Sequence, residues 1–182
     1  MLPELLTSER LLLSPPCLAD ATTIIELAND PLIAEMTLSV PYPYGEADAV
    51  HFLYMVRQGR LAENVFIYAI RSPNDRALMG AIGLHLDGKY GHAELGYWMG
   101  EPYRKRGYTS EAVGVLVEAG FRHTPVARIQ AYHKDTNLAS GRVMLANGLR
   151  REAVLEDYVI KNGVPQTVVQ YRILRKEWTK EA

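Results

Sequence analysis

Cysteine is almost missing from this chain. Cys17 is the only one among 182 residues, so no intrachain disulfide can form, and a reducing, cytoplasmic setting is the expectation. Long apolar runs are missing too: none approaches the roughly 20 residues that a membrane-spanning helix needs, so no membrane partner is expected. The opening MLPELLTSERLLL lacks the basic start and small-residue cleavage site of a secretory leader. Neither charge sign dominates, because 20 basic residues face 21 acidic ones and leave a net charge of -1. Chains that live on non-specific nucleic-acid contact are usually more basic, so that class is disfavoured. No G-x-x-x-x-G-K-[ST] offers a nucleoside-triphosphate loop, and no G-x-G-x-x-G follows a strand to hold a dinucleotide. Histidines 51, 85, 92, 123 and 133 form no HxxxH pair and no Cys/His cluster, and His92-x-Glu94 is too little for a site. No metal is expected.

What is present is ordinary for a soluble globular protein: 48% hydrophobic and 23% charged residues. The length favours one domain over residues 1–182 with a real core. Residues 7–14 read as a first strand, stopped by Pro15-Pro16. Residues 18–29 carry a helical period, interrupted at Asp30-Pro31. A looser segment containing PYPYG leads to a helix over 46–58. Strands follow at 65–71, 78–86 and 92–99, with SPND and Asp87-Gly88 as turns. A helix over 108–122, a strand over 127–133 and a helical segment over 136–146 come next, the last stopped by Asn147-Gly148. Strands at 150–160 and 167–174 flank an Asn162-Gly163 hairpin turn. The order predicts a mixed α/β (α+β) domain.

One stretch is unusual: EPYRKRGYTSEAVGVLVEAG, residues 101–120. Arg104, Lys105 and Arg106 run into Gly107 just where an apolar helix begins. A helix N-terminus carries unpaired N–H groups and about half a positive elementary charge, and so attracts anions. Gly107 permits a tight turn and a close ligand approach. Thr109, Ser110 and Glu111 offer capping chemistry for the first turn, and the cations add charge-assisted donors. A phosphate or pyrophosphate site fits this pattern; a solvated basic loop before a core helix fits it as well.

Arg104-Lys105-Arg106-Gly107-Tyr108-Thr109 resembles the Arg/Gln-x-x-Gly-x-Gly/Ala signature of the GNAT superfamily of acetyl-CoA-dependent N-acetyltransferases, with Thr109 departing at the last position. Within it the chain resembles the branch around the ribosomal-protein N-terminal acetyltransferases RimJ and RimL. The likeness covers nearly the whole chain, through TSERLLLSP, AELGYWM, GYTSEAV, DTNLASGRVMLANGL, DYVIKNG and VVQYRILRKEW in that order. Leu149 departs from the more usual aromatic after Gly148.

The resemblance implies a mostly antiparallel central sheet flanked by helices, with acetyl-CoA entering where the strand of 92–99 splays from that of 127–133. Cofactor contacts would then fall on the backbone of Tyr97, Trp98 and Met99 and on the loop Arg104, Lys105, Arg106, Gly107, Tyr108 and Thr109. Asn137 matches a position on the pantetheine side, although an asparagine at a helix start also reads as a simple N-cap. Ser140 matches the position of a hydroxyl beside the sulfur, and reads equally as a polar residue of the first helical turns. Two carboxylates compete as base, with Glu156 behind them. Strand alternation places Glu94 on the face of His92 and Trp98, where burial beside an indole would raise its pKa, unless it is a salt-bridged edge residue. Asp157 matches an acidic residue preceding an aromatic, here Tyr158, and reads equally as a solvated hairpin charge. Tyr42 and Tyr44 fall in the irregular segment where acceptor specificity would vary.

The expected partners are acetyl-CoA and an amine acceptor, a peptide N-terminus or a small amine, with room for a homodimer. Two other function classes stay open. One is a non-catalytic acyl-CoA-binding sensor or partner-binding module of the same fold. The other is nucleic-acid binding through Arg104 to Arg106, which the neutral overall charge disfavours.

Overall fold

A computed structural model describes residues 1–178 of the chain. Its strands form one eight-stranded sheet, in the order β1-β2-β3-β4-β5-β6-β8-β7. The N-terminal part supplies β1 (Leu6–Thr7), β2 (Leu12–Ser14), α1 (Ala21–Ala28), α2 (Pro31–Met36) and α3 (Glu46–Leu61). Strands β3 (Val65–Arg71), β4 (Leu78–Asp87) and β5 (His92–Met99) follow, then α4 (Tyr108–His123) and β6 (Arg128–Lys134). Helix α5 (Leu138–Ala146) precedes the closing hairpin of β7 (Arg150–Lys161) and β8 (Val164–Leu174). Every neighbouring pair is antiparallel except β5 with β6. The expected mixed, mostly antiparallel sheet flanked by helices is the observed architecture.

The sheet is covered on both faces in its centre, which is why β4 is buried continuously from Leu78 to Leu84 instead of alternating. On one face α4 lays Val113, Leu116, Val117 and Phe121 against Leu84, Leu95 and Ile129. On the other, α1 and α3 bring Ile24, Ala28 and Ala49 to Ala69 and Leu78. Leu84 and Leu116 are wholly buried, and each such side chain contributes about 1.5–3 kcal/mol relative to exposure. Arg71 ties the start of α1 to the sheet: its guanidinium donates to both oxygens of Asp20 at 2.9 and 2.7 Å and to Ser14 Oγ at 2.9 Å.

Three local expectations are corrected. The strand expected over 7–14 is two strands, closed by a bond from Ser8 N–H to Leu11 O at 3.0 Å. The chain folds back there because Glu111 of α4 captures both Ser8 and Arg10. Asp30-Pro31 does not merely interrupt a helix but starts α2, with Asp30 Oδ1 accepting from Leu32 N–H at 2.8 Å and Pro31 in the first turn, where its missing N–H costs nothing. The connection after Asp87 is a four-residue turn rather than a two-residue one. Asp87 pairs with His92, its carbonyl accepts from Gly91 N–H, and its side chain accepts from the N–H groups of Lys89 and Tyr90. The Asn162-Gly163 turn is as expected, both residues having positive φ between paired Lys161 and Val164.

Candidate active site

Strands β5 and β6 pair only from His92↔Arg128 to Leu95↔Ala131. Beyond Leu95, β5 stays with β4 as far as Met99, while Tyr132 to Lys134 of β6 stay with β8. The two strands therefore splay, and the β5 edge from Gly96 onward faces the gap without a strand partner there. Alternation sorts the side chains. Ala93 and Leu95, with Tyr97 beside them, pack toward α4, whereas Trp98 packs with the α1 and α3 cluster on the opposite face. Glu94 and Gly96 share the Trp98 face by the period of two.

At the gap, Tyr97 Oη lies 2.7 Å from Ser140 Oγ and donates at 3.3 Å to Ser140 O. Ser140 is buried in the first turns of α5. Burial pushes the Tyr97 phenol up to about 12, with Tyr171 adding to the rise and the bond to Ser140 opposing it. Asn137 is the N-cap of α5: its Oδ1 accepts from Ser140 N–H at 3.2 Å, while its Nδ2 donates to Met36 O at 3.5 Å. The side chain of Tyr97, expected to contribute only backbone, is the partner that sequence reading missed. Its alternation with Leu95 carried the signal.

The helix α4 begins at Gly107, in left-handed conformation at φ 81°, and no side chain caps it. The expected capping by Thr109, Ser110 and Glu111 is corrected, because all three lie inside the helix, past the position from which a side chain can reach forward to free N–H groups. Ser110 Oγ instead accepts from Asn147 Nδ2 at 3.0 Å. Glu111 binds Ser8 and Arg10; burial would raise its carboxyl, but those bonds outweigh it and hold it low. Lys105 is also left-handed, at φ 61°. The three cations are not equivalent. Arg104 is spent within the fold, donating to Met99 O at 3.0 Å and to Asp30 at 2.5 Å. Lys105 and Arg106 are exposed.

The acceptor-side candidates divide. Glu94 is exposed, so the burial expected to raise its pKa is not there; it stands across the strands from His85 and Gln130. Tyr132, on the same face, stacks on Tyr158 at 5.4 Å with planes 20° apart. Burial, Tyr158 and the charge of Glu94 together raise the Tyr132 phenol. Tyr158 reaches that face because β7 is bulged: Leu155 pairs with Val168 but Val159 with Gln166, so residues 156–158 loop out. Asp157 lies in this bulge, exposed, at φ 49°. Tyr42 is exposed, but Tyr44 is a core side chain beside Ile24 and Ala49, its phenol pushed up to about 12 by burial and Asp48. Tyr44 thus packs the fold and does not line an acceptor surface.

Comparison with known proteins agrees with this geometry. The profile of the family described as "Acetyltransferase (GNAT) domain" matches residues 10–150. The uncharacterized N-acetyltransferase YoaA of Bacillus subtilis (strain 168) is 33% identical over 109 residues, 59% of this chain and 62% of its own, so the likeness spans just under two thirds of that relative. The uncharacterized N-acetyltransferase p20 of Bacillus licheniformis is 26% identical over 176 residues, 96% of this chain and 98% of its own. Among solved structures, RimL, the ribosomal L7/L12 alpha-N-protein acetyltransferase in complex with coenzyme A, superposes with a TM-score of 0.85 at 18% identity, over 94% of this chain and 98% of RimL. The chain belongs to the GNAT acetyltransferase family, and its fold is the one RimL has.

Proposed function

We propose that the protein transfers an acetyl group from acetyl-CoA to a primary amine, most simply the α-amino group of a peptide or a small-molecule amine, as one cytoplasmic catalytic domain. The observation that carries this reading is the splay of β5 from β6 with the Tyr97–Ser140 hydroxyl pair at its mouth. The pyrophosphate would sit on the bare N-terminus of α4, with Gly107 admitting it closely and Lys105 and Arg106 adding charge. The pantetheine arm would follow the β5 edge at Gly96 to Trp98, and the carbonyl of Met99 is already held by Arg104. RimL, by its description, acetylates a protein α-amine and binds coenzyme A; both features support the reading.

The amine lone pair attacks the thioester carbon, the C–S bond breaks, and the thiolate takes a proton. A simple thiol has a pKa of about 8.5, so the thiolate is a good leaving group and needs only mild protonic help as it departs. With its phenol raised to about 12, Tyr97 stays protonated at neutral pH; it hydrogen-bonds to the departing sulfur, directly or through Ser140, and any proton it gives is replaced by the one the amine loses. On the other side the amine must lose a proton. Making it neutral at pH 7 costs on the order of 1 kcal/mol for an α-amine and nearly 5 for a lysine, so Glu94 or Asp157, directly or through water, suffices for the first. Free-thiol release from acetyl-CoA with a panel of N-terminal peptides, polyamines, aminoglycosides and amino acids tests the proposal. Tight acetyl-CoA binding with no release on any amine would instead favour a non-catalytic acyl-CoA-binding module.

A further inference from the structure

Lys161 ends β7 at the tip of the closing hairpin, yet its half-buried side chain turns back onto the fold. Nζ donates to Ala34 O and to Thr37 O, the latter at 2.6 Å, with Val40 O at 3.5 Å. An ammonium has three donors and no acceptor, so this carbonyl set satisfies it. The carbonyls belong to the C-terminal end of α2 and the segment after it, where helix carbonyls lack partners and a cation is favoured. The contact spans a long distance in the fold. Strand β7 is the outer edge of the sheet, beyond β8 and β6, whereas α2 follows directly on α1, which packs on β4. The hairpin must therefore curl over the face that carries Glu94 and Tyr132, and the Tyr158–Tyr132 stack shows that it does. Lys134, on that face of β6, is near enough for its charge to act on Lys161. The same α2 end is tied a second time, by Asn137 to Met36 O.

We infer that Lys161 is a positioning residue for the acceptor: by latching the hairpin tip to the end of α2, it sets the width of the groove over Glu94, Tyr132 and Tyr158 through which the amine reaches the thioester. The inference rests on the acetyl-transfer reading of the same site. Lys161 touches neither reacting group; it acts through the walls it joins. Segment 34–40 and the bulge at 156–158, which holds the exposed Asp157, are the two walls that it joins. Without the latch, the end of α2 keeps its tie to Asn137 and the hairpin keeps the Tyr158–Tyr132 stack, but neither of those joins one wall to the other at the hairpin tip.

The test uses the full chain with Lys161→Met, which keeps the stem but loses the donors, and Lys161→Arg, which keeps charge and donors. Amide hydrogen exchange over residues 34–40 and 156–163 is followed beside steady-state kinetics with acetyl-CoA and the best amine from the panel. In Lys161→Met, exchange in both segments should speed up, the acceptor KM should rise by about tenfold, and kcat and the KM for acetyl-CoA should stay within about twofold. Lys161→Arg should restore most of the acceptor KM. Faster exchange with an unmoved acceptor KM would overturn the inference and leave a purely structural tie. An equal rise in the KM for acetyl-CoA would also overturn it, placing the effect on the cofactor side through Asn137. If the unsubstituted chain turns over no amine at all, the acetyl-transfer reading fails first and this inference falls with it.

Discussion

The phenolic oxygen of Tyr97 and the hydroxyl of Ser140, 43 residues apart in the chain, meet at 2.7 Å across the gap between β5 and α5. Whichever oxygen donates, the pair places a hydroxyl proton where the strands part. Tyr97→Phe and Ser140→Ala should each lower kcat, by on the order of 10² if the pair is the acid for the leaving thiolate. Because the two act as one unit, the double variant should lose little more than either single one. Fully additive losses measured in the double-mutant cycle would show independent roles.

Gly107 and the three cations before it make separable predictions. At φ 81°, Gly107→Val is strained and brings a side chain to where the pyrophosphate would lie; a Cβ alone would already stand 3.4 Å from Arg10. Calorimetry should show a large loss of acetyl-CoA affinity in a chain that still folds. Lys105→Ala and Arg106→Ala should weaken binding mildly and reduce its salt dependence. Arg104→Ala should act differently, lowering thermal stability, as should Asp30→Asn, because these two hold each other and Arg104 also donates to the Met99 carbonyl. An Arg104 variant that changed only the salt dependence would sink this division of labour.

Glu94→Gln and Asp157→Asn separate the two carboxylates. The one that takes the amine's proton should cost about 10²–10⁴ in kcat/KM when neutralised, with the acidic limb of the pH profile flattened apart from the amine's own titration. The other should raise the acceptor KM and leave the profile's shape alone. Asp157 sits in a bulge at positive φ, a backbone arrangement that re-aims a side chain, and is the expected base. Small effects from both would mean that the amine arrives neutral and that positioning dominates.

Asp20 predicts a pH dependence of stability. Burial would raise its carboxyl, but the hydrogen bonds from Arg71 and from Cys17 N–H, with the charge of Arg71, outweigh it and leave it below its ordinary value of 3.8. A depressed carboxyl stabilises the fold fully above its unfolded pKa, and that contribution disappears as pH falls through the folded value. Asp20→Asn should therefore cost about 1.5–3 kcal/mol at neutral pH, as for a hydrogen-bonded charged pair. In denaturant titrations the gap to the unsubstituted chain should stay constant down to about pH 5 and close below pH 4. A gap that persists undiminished at pH 2 would rule out the ion pair as its source.

Much of this molecule was legible before folding was considered. The order of strands and helices from β3 onward, the Asn162-Gly163 turn and the place of Gly107 follow from side-chain periodicity and backbone sterics, which operate within a few residues of chain. Glycine tolerates φ 81° wherever it stands, so Gly107 marked the start of α4 without any knowledge of its neighbours. The partnerships were a different matter. Which of three adjacent cations would be spent on Asp30, 74 residues away, was not written in Arg104-Lys105-Arg106. Nor did alternation along β5 reveal that Glu94 would stay exposed, since the period of two sorts faces but not what covers them. Tyr97 meeting Ser140, Tyr44 turning into the core and Lys161 reaching back 127 residues to Ala34 all depend on how the sheet's two covered faces pack. Packing brings distant groups into contact and decides which of them lose water, and those two consequences set the chemistry of the site.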